Sequence, residues 1–362
     1  MPAYSELLID PNALYQNFKL FDRVPAMPML KANGYGVGAV QLAHFFSRLN
    51  VPYLGVSYLQ EAIALRQAGL DLPILVLSFL PHEAKQVIDY QLTASVDTIE
   101  KIRALDHAAT SSYPVHIKIN SGLNRFGATV EEAPALIHAL KKSRHLFIEG
   151  IMTHLMGAKD PSKDTLTHQQ LSSFEKFVAQ LPERPKWIHA NASTSYHKFP
   201  SLACNMARIG FGLFVPHLAL TLRTRVLATR YVEKGEAVSY CGNPLNEHKK
   251  IAVLGIGYHD GWHCSYGPSL HVMLNQQPAP VLGQICMDFM MVDITHHSKV
   301  CVGDWAEIFG PQQPLEQLGC ALNTNPRLIL ASLGERIDRI WLPQTATSLN
   351  PEYLCQPTLI KL

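Results

Sequence analysis

Several features that mark large classes of protein are missing from this chain. Its seven cysteines are an odd number, and no two stand in CxxC spacing. This argues against a disulfide framework or a cysteine zinc site, so Cys204, Cys241, Cys264, Cys286, Cys301, Cys320 and Cys355 read as reduced thiols, and no metal is expected. No apolar run reaches membrane-spanning length. The opening Met1-Pro2-Ala3-Tyr4-Ser5-Glu6 has neither a basic n-region nor a long apolar stretch. The expectation is a cytoplasmic protein without a membrane partner. Charge of one sign is also missing: 31 Lys and Arg face 29 Asp and Glu, for a formal net charge of +2. Without a basic block, nucleic acid is not an expected partner.

What is present is a long, apolar chain. It has 362 residues, 47% of them hydrophobic, which is too long for one typical domain. Asp10 can cap a helix from residue 11 to about 23. Short apolar strands then alternate with segments of helical periodicity. Strands are expected at 27–31, 53–57, 73–78, 93–96, 115–120, 147–153, 187–190 and 206–214. Between them fall helices at 39–49, 59–68, 82–90, 98–108, 130–141 and 166–180, and a short one after Ser193. Eight such units are the count for a (β/α)8 TIM-like barrel. A doubly wound sheet usually carries a glycine-rich phosphate loop after its first strand, and Lys31 stands there instead.

The pattern changes near residue 221. Strands are expected at 226–231, 237–240, 250–258, 270–274, 279–283, 289–294 and 305–309. Helices return only at 314–322 and 326–337. The reading is a barrel over residues 10–220 and a mostly β domain over 221–362, joined by a first strand at 1–9.

Lys31 closes the first barrel strand in Pro28-Met29-Leu30-Lys31-Ala32-Asn33-Gly34-Tyr35-Gly36. Barrel enzymes place their chemistry at that edge. A lysine ending an apolar strand is partly desolvated, which favours its neutral, nucleophilic amine. A lone lysine more often snorkels to solvent. Here the adjoining glycines allow close backbone approach to a ligand, and Tyr35 offers a hydroxyl to a phosphate.

At these residues the sequence resembles the alanine racemases, whose signature around the cofactor lysine is similar to Lys31-Ala32-Asn33-Gly34-Tyr35-Gly36-Val37-Gly38. Further motifs follow in the family's order. They are Lys118-Ile119-Asn120-Ser121-Gly122-Leu123-Asn124-Arg125-Phe126-Gly127, Met152-Thr153-His154, His189-Ala190-Asn191, Arg208-Ile209-Gly210-Phe211, Gly257-Tyr258-His259-Asp260-Gly261 and Cys286-Met287-Asp288.

The resemblance implies a pyridoxal 5'-phosphate enzyme that interconverts L- and D-alanine and supplies D-alanine for peptidoglycan. It makes Lys31 the Schiff-base lysine and the base on one face of the substrate, and Tyr258 the base on the other. Racemisation needs a proton donor and acceptor on both faces of a planar carbanion. It sets Arg208 against the pyridine nitrogen, ordered by His154 and His189. A guanidinium keeps its proton, so the ring works as a weaker electron sink. Tyr35, Asn191, Ser193, Gly210 and Phe211 are implied to hold the cofactor, with Ser193 capping the short helix. Arg125 and Met287 are implied to meet the substrate carboxylate. Lys118 matches a lysine that is carbamylated in many members. The resemblance also implies a homodimer with shared sites, Lys31 and Tyr258 coming from different chains.

Some positions depart from the family. Asn191-Ala192-Ser193 replaces Asn-Ser-Ala, and Phe214-Val215 replaces Tyr-Gly. At the entrance, Gln284 stands where many members carry arginine, Lys159 where they often carry aspartate, and Glu335 where some carry tyrosine. Substrate range is therefore open to a broader-specificity or serine racemase. A related decarboxylase would carry a carboxylate in place of Arg208. A non-catalytic pyridoxal-phosphate carrier would lack the second domain.

Overall fold

The computed structural model describes residues 4–344 apart from 182 and 202; residues 1–3 of the expected first strand and residues 345–362 of the expected second domain, Cys355 among them, lie outside the described residues. Contacts divide the chain into two compact units. One is residues 17–213, and the other takes the described residues up to 16 and from 214 onward.

The second unit opens the chain with strand β1 (Ser5–Ile9). Asp10 then caps the first helix, its carboxylate accepting from the amides of Asn12 at 2.8 Å and Ala13 at 3.3 Å. That helix runs Pro11–Lys19, stopping one turn before the expected end.

Residues 17–213 carry eight parallel strands: β2 (Ala26–Pro28), β3 (Leu54–Val56), β4 (Ile74–Val76), β5 (Thr93–Val96), β6 (Tyr113–Lys118), β7 (Leu146–Met152), β8 (Trp187–His189) and β9 (Ala207–Ile209). β3 to β8 form one sheet in sequence order, and β2 pairs with β9. Two parallel bridges, Met29 with Gly55 and Ala192 with Arg208, join the pair to both sheet edges. The eight strands thus complete the expected (β/α)8 barrel. Three or four buried residues suffice for most strands because both faces are covered, which is why they read as short apolar runs rather than alternating ones.

In the other unit alternation returns. β10 (Leu220–Val232) buries Leu220, Leu222, Thr224 and Val226 and leaves the residues between them half-exposed. It pairs with β1, with β11 (Lys249–Leu254) and, beyond β12 (His271–Leu274), β13 (Gln277–Pro280) and β14 (Met290–Asp293), with β15 (Trp305–Phe309). A last strand, β16 (Asp338–Trp341), runs parallel to β1 and is not signalled by its sequence. Residues 237–240 form no strand: Ser239 and Cys241 have positive φ, and a single bridge joins Ala237 to Pro244. The last helix stops at Ala331 rather than 337.

Candidate active site

β2 ends before Lys31, and the chain does not continue as the extended strand expected over 27–31. Lys31 opens a tight turn in which Ala32, Asn33, Gly34 and Tyr35 have φ of 53°, 52°, 62° and 59°. Left-handed backbone costs a non-glycine residue roughly 1–2 kcal/mol, so the turn needs outside support. Glu61 supplies it. One carboxylate oxygen accepts from the amide of Ala32 at 2.6 Å, and the other from Ser57 at 2.8 Å and Tyr58 at 3.1 Å. Asn33 Oδ1 accepts from the amide of Ala39 at 2.9 Å. The half-buried Lys31 is thereby presented at the C-terminal rim of the barrel.

Other side chains converge on that rim. Lys118 ends β6, His189 ends β8, Arg208 lies in β9, Gly210 directly follows β9, and His154, Asn191 and Ser193 lie two to four residues past β7 and β8. Lys31, Lys118, Arg125 and Phe126 line a cavity of about 140 Å³. Lys118 is buried, with Nζ 4.9 Å from the centre of the Phe126 ring. Burial, reinforced by the charges of Arg208 and Arg125, pulls its pKa down to about 8. Three cationic side chains round one small cavity favour an anion. Arg125 itself is exposed on a loop that Asp97 anchors, accepting from the amide of Gly127 at 3.2 Å.

Arg208 is buried and nearly saturated. NH1 donates to His189 Nδ1 at 2.8 Å and to the His189 carbonyl at 2.7 Å. NH2 donates to the carbonyls of Thr153 at 2.6 Å and Ala190 at 3.1 Å, and reaches His154 Nδ1 at 3.2 Å. Its Nε–H has no acceptor among the described residues. Burial and then Arg208 lower His154 to about 3 and hold His189 well below the usual histidine range, so both rings are neutral. Nearby, Asn191 Oδ1 is a buried acceptor with no protein partner among the described residues.

Ser193 does not cap the short helix Ser193–Lys198; Ala192 holds the cap position, and the amide of Ala192 is met by Ser195 Oγ at 2.8 Å. Ser193 Oγ instead accepts from the amides of Gly210 and Gly212, each at 3.1 Å. Both lone pairs are then engaged and the hydroxyl proton is left to donate. Gly210 lets Tyr35 approach: a Cβ there would overlap the Tyr35 hydroxyl. Ser193 and Tyr35 therefore place two hydroxyls beside Gly210 and Phe211. Hydroxyl donors at this rim suit phosphate oxygens, and the unengaged Nε–H of Arg208 suits an aromatic nitrogen.

The remaining candidates lie in the other unit. Tyr258 is half-exposed, on a short turn, Tyr258–Asp260, that lies against the segment carrying Met287. The amide of Tyr258 donates to the Cys286 carbonyl at 2.9 Å, and that of His259 to the Met287 carbonyl at 3.0 Å. Gly257 permits this closeness, since a Cβ there would strike both carbonyls. Arg336 clamps the arrangement, donating to both oxygens of buried Asp260 at 3.0 and 2.9 Å and to Asp288 at 2.6 Å. Tyr258 lines a cavity of about 690 Å³ with His259, His263, Tyr266 and Leu328. Lys159, Gln284 and Glu335 are exposed.

Known proteins with the same sequence pattern decide the family. The N-terminal domain of alanine racemase matches residues 9–217, and its C-terminal domain residues 219–341. The chain belongs to the alanine racemase family. An alanine racemase of Geobacter sulfurreducens is 31% identical over 92% of this chain and 96% of its own length. One of Desulfovibrio desulfuricans is 32% identical over 87% and 90%. A solved alanine racemase from Bartonella henselae, with covalently bound pyridoxal phosphate, superposes at a TM-score of 0.84 and 26% identity, covering 94% of this chain and all of that one.

Against the alanine racemase motifs, the residues missed in the sequence are supports rather than candidates for contact with a ligand. Glu61 stands three residues after Tyr58 at a helix start, the spacing of half a capping box, and that signal was available. Arg336 lies 76 residues from Asp260, and nothing local announces the pair. Among the described residues no group of side chains could hold a metal, and no helix is long and apolar enough to cross a membrane.

Proposed function

We propose that this protein interconverts L- and D-alanine with pyridoxal phosphate as its cofactor. The observation that carries the reading is the gathering of Lys31, Arg208 and the Ser193–Tyr35 hydroxyl pair on one barrel rim, in a member of this family. Bound there, the cofactor supplies an electron sink for the charge left at the substrate Cα when its proton departs. Lys31 would hold its carbonyl carbon, Ser193, Tyr35 and the Gly210–Phe211 backbone its phosphate, and Arg208 its ring nitrogen, with His154, His189 and Asn191 in support.

The rest is done by the chain's own side chains. Arg125, with Lys118 beside it, offers positive charge to the substrate carboxylate, and the Met287 backbone a further contact. Lys31 takes or returns the Cα proton on one face and Tyr258 of the partner subunit on the other. Arg208 cannot surrender its proton to the ring, which limits how far charge spreads and discourages side reactions. This also sets the protein apart from a decarboxylase with a carboxylate at that place. The domain carrying Tyr258 and Met287 sets it apart from a carrier. We place the enzyme in the cytoplasm, as a homodimer, feeding peptidoglycan synthesis. The altered entrance residues Lys159, Gln284 and Glu335 bear on substrate range. Measuring D/L interconversion over a panel of amino acids tests the reading: alanine should be racemised fastest, with serine slower. Racemisation of serine in preference to alanine, or decarboxylation, would overturn it.

A further inference from the structure

The interior of a TIM-like barrel is normally filled by branched apolar side chains. Here a buried polar chain runs through it. Arg208 NH1 stands 2.8 Å from His189 Nδ1, and His189 Nε2 stands 2.9 Å from His116 Nδ1. His116 Nε2, a buried nitrogen with no hydrogen-bond partner among the described residues, then faces Glu149 Oε2 at 3.6 Å, close enough for charge attraction but not for a hydrogen bond. Both imidazoles are fully buried. At its far end Glu149 accepts from the Tyr53 hydroxyl and meets Lys186 Nζ, which is largely exposed, at 3.3 Å.

The direction of every proton follows from Arg208. A guanidinium has donors and no acceptor, so His189 Nδ1 must accept. The His189 proton then lies on Nε2 and is donated to His116 Nδ1. The His116 proton lies on Nε2, towards the Glu149 carboxylate. Each N–H points away from Arg208 and towards Glu149, and neither ring can take a second proton without breaking the chain.

The arrangement answers an electrostatic need. Arg208 is a buried cation whose five acceptors are all neutral. Buried charge is costly unless paired. Two imidazoles in a barrel core are themselves costly unless satisfied, and an apolar filling would avoid them. The imidazoles connect the cation to Glu149, the carboxylate at the far end of the run.

We propose that Glu149 and His116 are positioning residues that tie buried Arg208 to a carboxylate through His189, fixing the guanidinium where it faces the cofactor ring. The last clause rests on the function proposed above; the tie itself does not. The test is nitrogen NMR of the holoenzyme labelled with 15N-histidine. Wild type should show His116 and His189 neutral and protonated at Nε2 alone. In Glu149→Gln, where the amide oxygen can still accept from Tyr53, the His189 Nδ1 resonance should move although residue 149 faces His116 and not His189. The kcat for alanine should fall about tenfold with KM little changed. Glu149→Asp, which keeps the charge, should recover part of both effects, and serves as the probe should Glu149→Gln not fold. Tyr53→Phe removes a different partner of Glu149 and should leave His189 Nδ1 in place. An unmoved His189 resonance in folded Glu149→Gln, or a shift equally large in Tyr53→Phe, would overturn the tie. A moved resonance with unchanged kcat would uphold the tie and remove the ring-facing role of Arg208.

Discussion

Arg208 and His189 are joined twice: the guanidinium donates to Nδ1 of the ring at 2.8 Å and to the carbonyl of the same residue at 2.7 Å. Ring and backbone are thus read by one nitrogen, and the guanidinium plane is set by β8 as well as by its own strand. Arg208→Ala would strand buried acceptors on Thr153, His154, His189 and Ala190 at once. It should cost about 3 kcal/mol or more, because a lost buried donor leaves each acceptor unsolvated. Chemical denaturation checks this, and a loss below about 1 kcal/mol would mean that these acceptors find water.

Gly210 gives a prediction of opposite logic, where adding an atom does harm. Gly210→Ala should push the Tyr35 hydroxyl aside. Cofactor affinity should fall at least as far as in Tyr35→Phe, which removes the hydroxyl alone and should weaken binding by about five- to tenfold. Equilibrium titration of apoenzyme with pyridoxal phosphate measures both. Unchanged affinity in Gly210→Ala would place the phosphate elsewhere.

Lys118 links the site to pH. Its folded-state pKa, pulled down to about 8 by burial and by Arg208 and Arg125, lies below the value in an unfolded chain. Between the two values the unfolded chain binds the extra proton, so stability rises with pH there. At pH 7 the charged amine destabilises the fold. In carbon-dioxide-free buffer Lys118→Met should therefore be more stable than wild type at pH 7, by roughly 2–3 kcal/mol, and its lead should vanish as pH climbs from 8 towards 10. A lead that does not change with pH would contradict the shift. An amine that gives up its proton this readily is also suited to carbamylation, and added bicarbonate should shrink the same lead at pH 7.

In the other unit, Arg336→Ala would leave the buried Asp260 carboxylate, among the described residues, with the amide of Gly257 at 2.9 Å as its one remaining donor. The Tyr258 and Met287 turns would lose their common clamp. With Arg336 itself half-exposed, the expected loss is about 2 kcal/mol of stability. A drop in kcat for both enantiomers should accompany it. Full activity in a folded Arg336→Ala would make the clamp dispensable.

The parts that were legible in the sequence share one property: their signal is local. Short apolar strands separated by helical periodicity announced the barrel. Strands separated by turns instead of helices announced the mostly β domain, but not that its long strand begins at Leu220, six residues before the expected 226–231. Lys31 and Arg208 stood in recognisable strings. The left-handed turn from Ala32 to Tyr35 was hidden because Ala and Tyr carry no preference for positive φ, and the turn is imposed from 29 residues away by Glu61. Ser193 looked like a helix cap because serine usually is one; its partners, the Gly210 and Gly212 amides, lie 17 and 19 residues on. His116 and Glu149 sit in strands that read as ordinary barrel filling, and only the closed ring brings them to His189.

Hydrogen exchange at the substrate Cα in Tyr258→Phe tests the two-base account most directly. The substitution keeps the ring and its packing but removes the hydroxyl that carries the proton. In deuterium oxide, exchange at Cα should nearly stop for L-alanine, by roughly a hundred- to ten-thousand-fold, and persist far better for D-alanine, whose proton Lys31 would still remove. Small, equal losses for both enantiomers would contradict the account and leave Tyr258 as a packing residue of its turn.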